Sequence, residues 1–158
     1  MKLNNIYKLI ISIVASNVAG LLGAVFTVSS ISTWYLTLVK PELNPPSWIF
    51  GPVWTTLYFL MGISLFLIWK QGFSKKGIKF AMGVFLIQLI LNSTWSFLFF
   101  GAQNPGAALI NIILLWLAIV WTMIVFYKKS HVATYLLIPY ILWISFATYL
   151  NYSIWILN

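Results

Sequence analysis

Residues 80–127 run for 48 positions without a Lys, Arg, Asp or Glu. A soluble domain carries about 25% charged residues, against 6% in this chain, and it cannot hide so long an uncharged stretch from water. In a bilayer the stretch is ordinary. The hydrocarbon core needs roughly 20 apolar residues per helical crossing, so this run crosses twice. Positions 101–106 split it, with Asn104 as a natural N-cap and Pro105 at the first helical position. Three more uncharged runs, 9–28, 43–69 and 132–158, bring the count to five, and Pro45 and Pro46 delay the second helix. The expectation is an all-α integral membrane protein, a five-transmembrane-helix bundle forming a single membrane domain over 1–158. Its helices should lie near 7–28, 48–70, 78–100, 105–127 and 133–156, with loop 29–47 as the lid of a pocket.

An odd number of spans also sets an orientation. The N-terminus and the second and fourth connections share one side, which collects Lys2, Lys8, Lys70, Lys75, Lys76, Lys79, Lys128 and Lys129. The other side keeps only Lys40, offset by Glu42. Positive residues accumulate in cytoplasmic loops. The N-terminus is therefore expected in the cytoplasm, with loop 29–47 and the C-terminus outside. The net charge of +8 has the same origin. Lysines at the ends of apolar runs meet anionic headgroups, and no basic helix face is left for nucleic acid. Lys2 and Lys8 ahead of an apolar run superficially suit a signal peptide, but no clear A-x-A-like site follows, so a retained span is expected.

The titratable inventory excludes much chemistry. Hydrolysis by acid and base needs a paired set, and a metal site needs three or four ligands. The chain offers Glu42, the sole acid, and His131, and the topology puts them on opposite membrane faces. His131 follows Lys128 and Lys129 and reads as an interfacial residue. Cysteine is absent, so there is neither a disulfide framework nor a thiolate ligand. Proton relays use carboxylates within the membrane, and the uncharged spans hold none. No glycine loop for phosphate appears. No metal and no cofactor are expected.

Aromatic and amide chemistry remains. Helical spacing aligns Phe50 or Gly51, Trp54, Tyr58 and Met61 on the second span. It aligns Gln88, Asn92, Trp95 or Ser96, and Phe99 on the third, and Trp143, Ala147, Leu150 or Asn151, and Ile154 on the fifth. Bundle packing with amides bonded between helices accounts for such faces too. Trp34, Trp48, Trp69 and Trp155 sit near span ends, where an interfacial belt explains them. Trp54, Trp95, Trp116, Trp121 and Trp143 lie deeper, and an indole N–H needs a partner that Leu or Phe would not. Segment 34–54 holds four of the six prolines and three of the nine tryptophans, and it reads as a stiff lid over something flat and apolar. Ser12, Ser16, Gly20 and Ala24 form a small-residue stripe suited to close helix approach. Pro139 should kink the fifth helix and free the carbonyl of Tyr135. Pro52 belongs either at the start of the second helix or one turn in.

The pattern WY-x4-KP-x3-PP-x-W-x3-PVWT-x2-Y-x2-MG, beginning at Trp34 and ending at Gly62, resembles the tryptophan-rich sensory protein family. That family is also called the translocator protein or peripheral-type benzodiazepine receptor (TspO/MBR) family, and the likeness is to its bacterial type. Gln88, Asn92, Trp95, Ser96 and Phe99 match its third helix, and Asn104-Pro105 opens the fourth, where Trp116 and Trp121 match. Pro139, Tyr140, Trp143, Phe146, Ala147, Leu150 and Asn151 match the fifth. The likeness spans about 16–158. It implies a homodimer of five-helix bundles in a bacterial cell membrane, in contact with lipid. Each bundle would hold a pocket under the first loop for porphyrins such as protoporphyrin IX and haem-like tetrapyrroles. The carried-over wall is Tyr35, Pro45, Pro46, Trp54, Tyr58, Asn92, Trp95, Trp143, Phe146, Ala147 and Leu150.

The resemblance implies a porphyrin receptor in tetrapyrrole or stress signalling. It leaves two alternatives open. Some bacterial members degrade protoporphyrin in light, for which Trp54 and Trp143 would be the catalytic positions. The other is transport of tetrapyrroles or sterol-like lipids, although five helices without an intramembrane charge or inverted repeat show no alternating-access machinery. Two departures matter. After Tyr152 no Lys or Arg completes the sterol pattern of animal members, and the loose match at 125–129 counts for little. Asn111 stands where some relatives carry an acid.

Overall fold

The computed structural model describes residues 4–158, so Lys2 lies outside the described residues. Five helical segments are long and apolar enough to cross a membrane: Asn5–Ile31, Ser47–Trp69, Ile78–Gly101, Pro105–Tyr127 and His131–Leu157. The first is helix α1 (Asn5–Ile31), and a short helix α2 (Trp34–Thr37) sits in the loop that follows it. A 3-10 turn, Ser47–Ile49, leads into α3 (Phe50–Trp69). Helix α4 (Ile78–Ser96) ends in a π turn, Phe97–Gly101. Then come α5 (Pro105–Tyr127), the short α6 (His131–Tyr135) and α7 (Ile138–Leu157). No strand occurs among the described residues.

Local chemistry explains the boundaries. The Asn104 side chain accepts from the Ala107 amide at 2.9 Å, capping α5 where Pro105 begins it. Gly72 and Gly77 take φ of +89° and +84° in the connection to α4, a left-handed backbone that suits glycine. Pro52 lies in the first turn of α3, because the 3-10 turn absorbs the residues before it. At Pro139 the chain breaks instead of kinking. Proline lacks the N–H that would bond the Tyr135 carbonyl, and its ring would strike it. Helix α6 therefore stops at Tyr135, Leu137 N bonds Thr134 O at 3.0 Å, and α7 restarts with Pro139 in its first turn.

Around the bundle, α1 packs on α3 and α4, α5 on α4 and α7, and α6 on α3 and α5. Lipid tails are as apolar as leucine, so what holds the helices is close packing and interhelical hydrogen bonding. A Cβ built on Gly62 would fall 2.6 Å from the Ile13 Cα, which places the backbones of α1 and α3 in direct contact. Ser93 donates to the Ala19 carbonyl at 2.8 Å, tying α4 to α1. Met61, Ile68, Phe85, Ile112, Ile119 and Phe126 fill the middle. The small-residue stripe of α1 divides: Ser12 and Ser16 are fully buried between helices, whereas Gly20 and Ala24 are half-buried and border a cavity. Steps of four residues drift by roughly 40° around a helix of 3.6 residues per turn, so a straight i, i+4 series leaves its starting face.

The two ends of the bundle differ. At one end Ser30 donates to the Phe100 carbonyl at 2.7 Å, and the Asn158 amide bonds both the N–H and the C=O of Val39 in the lid. At the other, Gln71 donates to the Lys129 carbonyl and Lys129 to the Lys76 carbonyl, among the clustered lysines.

Candidate functional site

A cavity of ≈360 Å³ lies under the lid at the lysine-poor end. Its walls follow from helical periodicity. Trp54 and Tyr58, one turn apart on α3, stack with centroids 5.4 Å apart and planes at 25°. Trp95 and Phe99 repeat the arrangement on the opposite wall at 5.2 Å and 27°. Trp143, Ala147, Leu150 and Ile154 supply the α7 wall. On the α1 side Gly20 makes the room: a Cβ there would meet the Tyr58 ring at 2.3 Å. Tyr35 in α2 closes the top, with Phe100 beneath it at 5.8 Å between centroids.

Three of the rings, Tyr35, Tyr58 and Trp95, are each held by an asparagine amide. Trp95 Nε1 donates to Asn151 Oδ1 at 2.9 Å, and Asn151 Nδ2 donates to the Pro105 carbonyl at 2.8 Å. Tyr58 donates to Asn92 Oδ1, Asn92 Nδ2 donates to the Tyr140 hydroxyl at 3.0 Å, and Tyr140 donates to Gln88 Oε1 at 2.9 Å. This buried chain joins α3, α4 and α7. In the lid, Tyr35 donates to Asn44 Oδ1 at 2.8 Å, and the Lys40 ammonium lies 4.7 Å from the Tyr35 ring centroid. Burial pushes the Tyr35 phenol above its ordinary value, and the Asn44 bond partly opposes that.

The cavity itself stays apolar. Asn17 Nδ2 and the hydroxyls of Thr27 and Thr55 turn back onto the carbonyls of Ile13, Gly23 and Gly51. No Lys, Asp, Glu or His is among its lining residues. Some donors on lining residues stay unpaired: Trp143 Nε1 is buried without an acceptor, and the Trp54 indole and the Ser47 and Ser96 hydroxyls make no side-chain hydrogen bond among the described residues. Such a surface can hold a flat apolar molecule by stacking, with only a few uncharged donors beside it. Among the described residues no cluster of three His, Cys, Asp or Glu could hold a metal.

Of the eleven wall residues that the resemblance implies, seven border the cavity: Tyr35, Trp54, Tyr58, Trp95, Trp143, Ala147 and Leu150. Four do not. Pro45 and Pro46 precede Ser47, which does border it. Asn92 sits behind Tyr58 as the centre of the hydrogen-bonded chain. Phe146 lies beyond Trp143, in a separate groove on the outside. The α1 wall, including Asn17, Gly20, Leu21, Ala24 and Thr27, went unrecognised. Its one signal in the sequence was the small-residue stripe, read there as a packing device.

Comparison with known proteins agrees with this architecture. A model of the TspO/MBR family matches residues 12–156. The chain is 47% identical over 155 residues to a tryptophan-rich protein TspO of Archaeoglobus fulgidus, covering 98% of this chain and 99% of that one. It is 48% identical over 139 residues to the protein of the same name from Chlorobaculum tepidum, covering 88% of each. It is 43% identical over 124 residues to the human translocator protein, covering 77% of this chain and 73% of that one.

Proposed function

The chain belongs to the TspO/MBR family of integral membrane proteins, and from that premise we propose that it is a membrane receptor for porphyrins and related flat, apolar ligands. The observation that carries this reading is the cavity of stacked aromatic rings, free of charged side chains. Its ≈360 Å³ lies at the small end of the roughly 300–1,000 Å³ typical of ligand clefts. A tetrapyrrole would therefore sit with its macrocycle between the rings and its propionates toward the lid. Lys40 is the only basic residue in the lid segment and would meet them there. The protein would work as a homodimer in tetrapyrrole or stress signalling, with the lid and α7 terminus outside the cell and the lysine-rich end in the cytoplasm.

The test is a titration of purified protein with protoporphyrin IX, followed by quenching of tryptophan fluorescence. Trp54→Ala and Trp143→Ala should each weaken binding about tenfold, since each removes an aromatic wall. Unchanged dissociation constants in both variants would overturn the receptor reading.

A second reading, light-driven degradation of the bound porphyrin, draws on Trp54 and Trp143 both bordering the same cavity. An excited porphyrin would there lie against the indoles, with dissolved dioxygen as the oxidant that takes up the macrocycle's electrons, and neither an acid nor a base side chain is required. An absorbance product formed under illumination by the unmodified protein, but not by Trp54→Phe, would favour it. Equal product from both would leave binding alone. Transport would need flux across proteoliposomes above the leak of empty vesicles.

A further inference from the structure

The cavity has a neighbour on the outside of the bundle. A groove of ≈590 Å³ runs between Pro52, Val53 and Thr56 on α3 and Pro139, Leu142 and Phe146 on α7. Among the described residues, one side chain borders both spaces: Trp143.

Three features make that indole a weakly fastened wall. First, α3 and α7 meet through side chains, while each makes its close backbone packing elsewhere, α3 on α1 and α7 on α5. Secondly, no side-chain hydrogen bond among the described residues runs directly between α3 and α7. They are tied through Asn92, bonded to Tyr58 on one and Tyr140 on the other, on the lysine-rich side of Trp54. Toward the lid the seam is closed by rings alone, with Phe50 6.1 Å from Trp143. Thirdly, the Trp143 N–H has no acceptor, whereas Trp95 is held by Asn151 and Trp116 by Ser145. An edge contact with Phe50 and a tilted one with Phe146 resist rotation less specifically than a directed bond does.

The groove lies on two spans apolar enough to cross the bilayer. Its one hydroxyl, on Thr56, is spent on the Pro52 carbonyl at 2.9 Å. Acyl chains can therefore fill it at no polar cost. We propose that this groove is a vestibule open to the bilayer and that Trp143 is a swinging partition, through which flat apolar ligands dissolved in the membrane reach the cavity. Rotation of Trp143 joins the two spaces into one slot between α3 and α7. The proposal rests on the ligand-binding reading above and adds the route and its gate.

The absence of native cysteine makes the test direct. In proteoliposomes, Thr56→Cys and Leu142→Cys are bridged across the groove with a short bis-maleimide. Protoporphyrin IX is then delivered from donor vesicles, and tryptophan quenching gives rates and end point. Bridging should slow both association and dissociation about tenfold with the end point unchanged, because a gate changes rates and not affinity. Loading of the bridged protein at the unbridged rate would overturn the proposal. A second arm needs no porphyrin: a single cysteine at Ala147, which borders the cavity behind Trp143, is labelled by a bilayer-soluble pyrene maleimide. Trp143→Ala should raise its labelling rate about fivefold, and Thr56→Trp, which fills the groove, should lower it as much. Identical labelling in all three backgrounds would overturn the partition. If unmodified protein never quenches with protoporphyrin, the porphyrin reading falls, and the labelling arm alone decides the route.

Discussion

Single residues in this protein act in pairs, one facing the cavity and one fixing it from behind. Tyr58 and Asn92 show the division. The ring of Tyr58 borders the cavity, while Asn92 accepts from its hydroxyl and donates to Tyr140. Asn92→Leu leaves two buried phenols without that partner, and should cost about 1–3 kcal/mol of stability. Thermal unfolding in detergent would register it, and an unshifted melting curve would deny Asn92 this role. Lys40 is a separate case, a half-buried cation that donates to the Leu38 carbonyl at 3.1 Å and would act on propionates at the lid. Lys40→Ala should weaken protoporphyrin about two- to fivefold, the range of a surface ion pair, and leave its dimethyl ester untouched. Equal losses for acid and ester would remove Lys40 from the site. The amide face at Gln88 and Asn92 was legible from spacing. That it stands one layer behind the aromatic wall was not, because spacing along one helix cannot say how deep its neighbour reaches.

Among the elements, α1 carries the largest revision. Its small residues have the spacing of one packing stripe, yet Ser12 and Ser16 pack while Gly20 and Ala24 shape the cavity. Gly62 on α3 is the point of closest approach to α1. Gly62→Val has to push the Ile13 backbone aside, and overpacking of this kind costs about 1–3 kcal/mol or more. The expected outcome is a lower melting temperature together with weaker ligand binding, since the α1 wall moves with the helix. A variant that binds normally would separate the α1 contact from the cavity. Helix α7 teaches a related lesson about proline. A proline inside an apolar run signals a perturbation, but kink and break differ only in whether tertiary contacts hold the segment before it. Here Ser64 donates to the Ala133 carbonyl at 2.6 Å, anchoring α6 as a separate piece on α3.

At the scale of the whole molecule, the two ends are chemically distinct, a lid at one and clustered lysines at the other. The proposed orientation, with the lid outside, rests on the lysine asymmetry. Single cysteines at Glu42 and Lys75, in a chain without native cysteine, test this with a membrane-impermeant maleimide on intact cells. Glu42→Cys should label at once, and Lys75→Cys only after permeabilisation. The reverse pattern would invert the protein and place the lid in the cytoplasm.

Span number, the lysine-rich end and the identity of most of the aromatic wall are written in the sequence itself. They depend on local quantities: run length against bilayer thickness, charge at run ends, and one-turn spacing on a single helix. Only the tertiary structure decided that α1 forms a wall, that Asn92 stands behind Tyr58, and that Phe146 lies outside Trp143. The reason is the solvent. In water, polar and apolar faces announce which side of a helix is buried; in lipid both sides are apolar, and that contrast disappears. Which face turns inward is then settled by the fit of helix against helix, at positions such as Gly20 and Gly62 where a single methyl group would not fit.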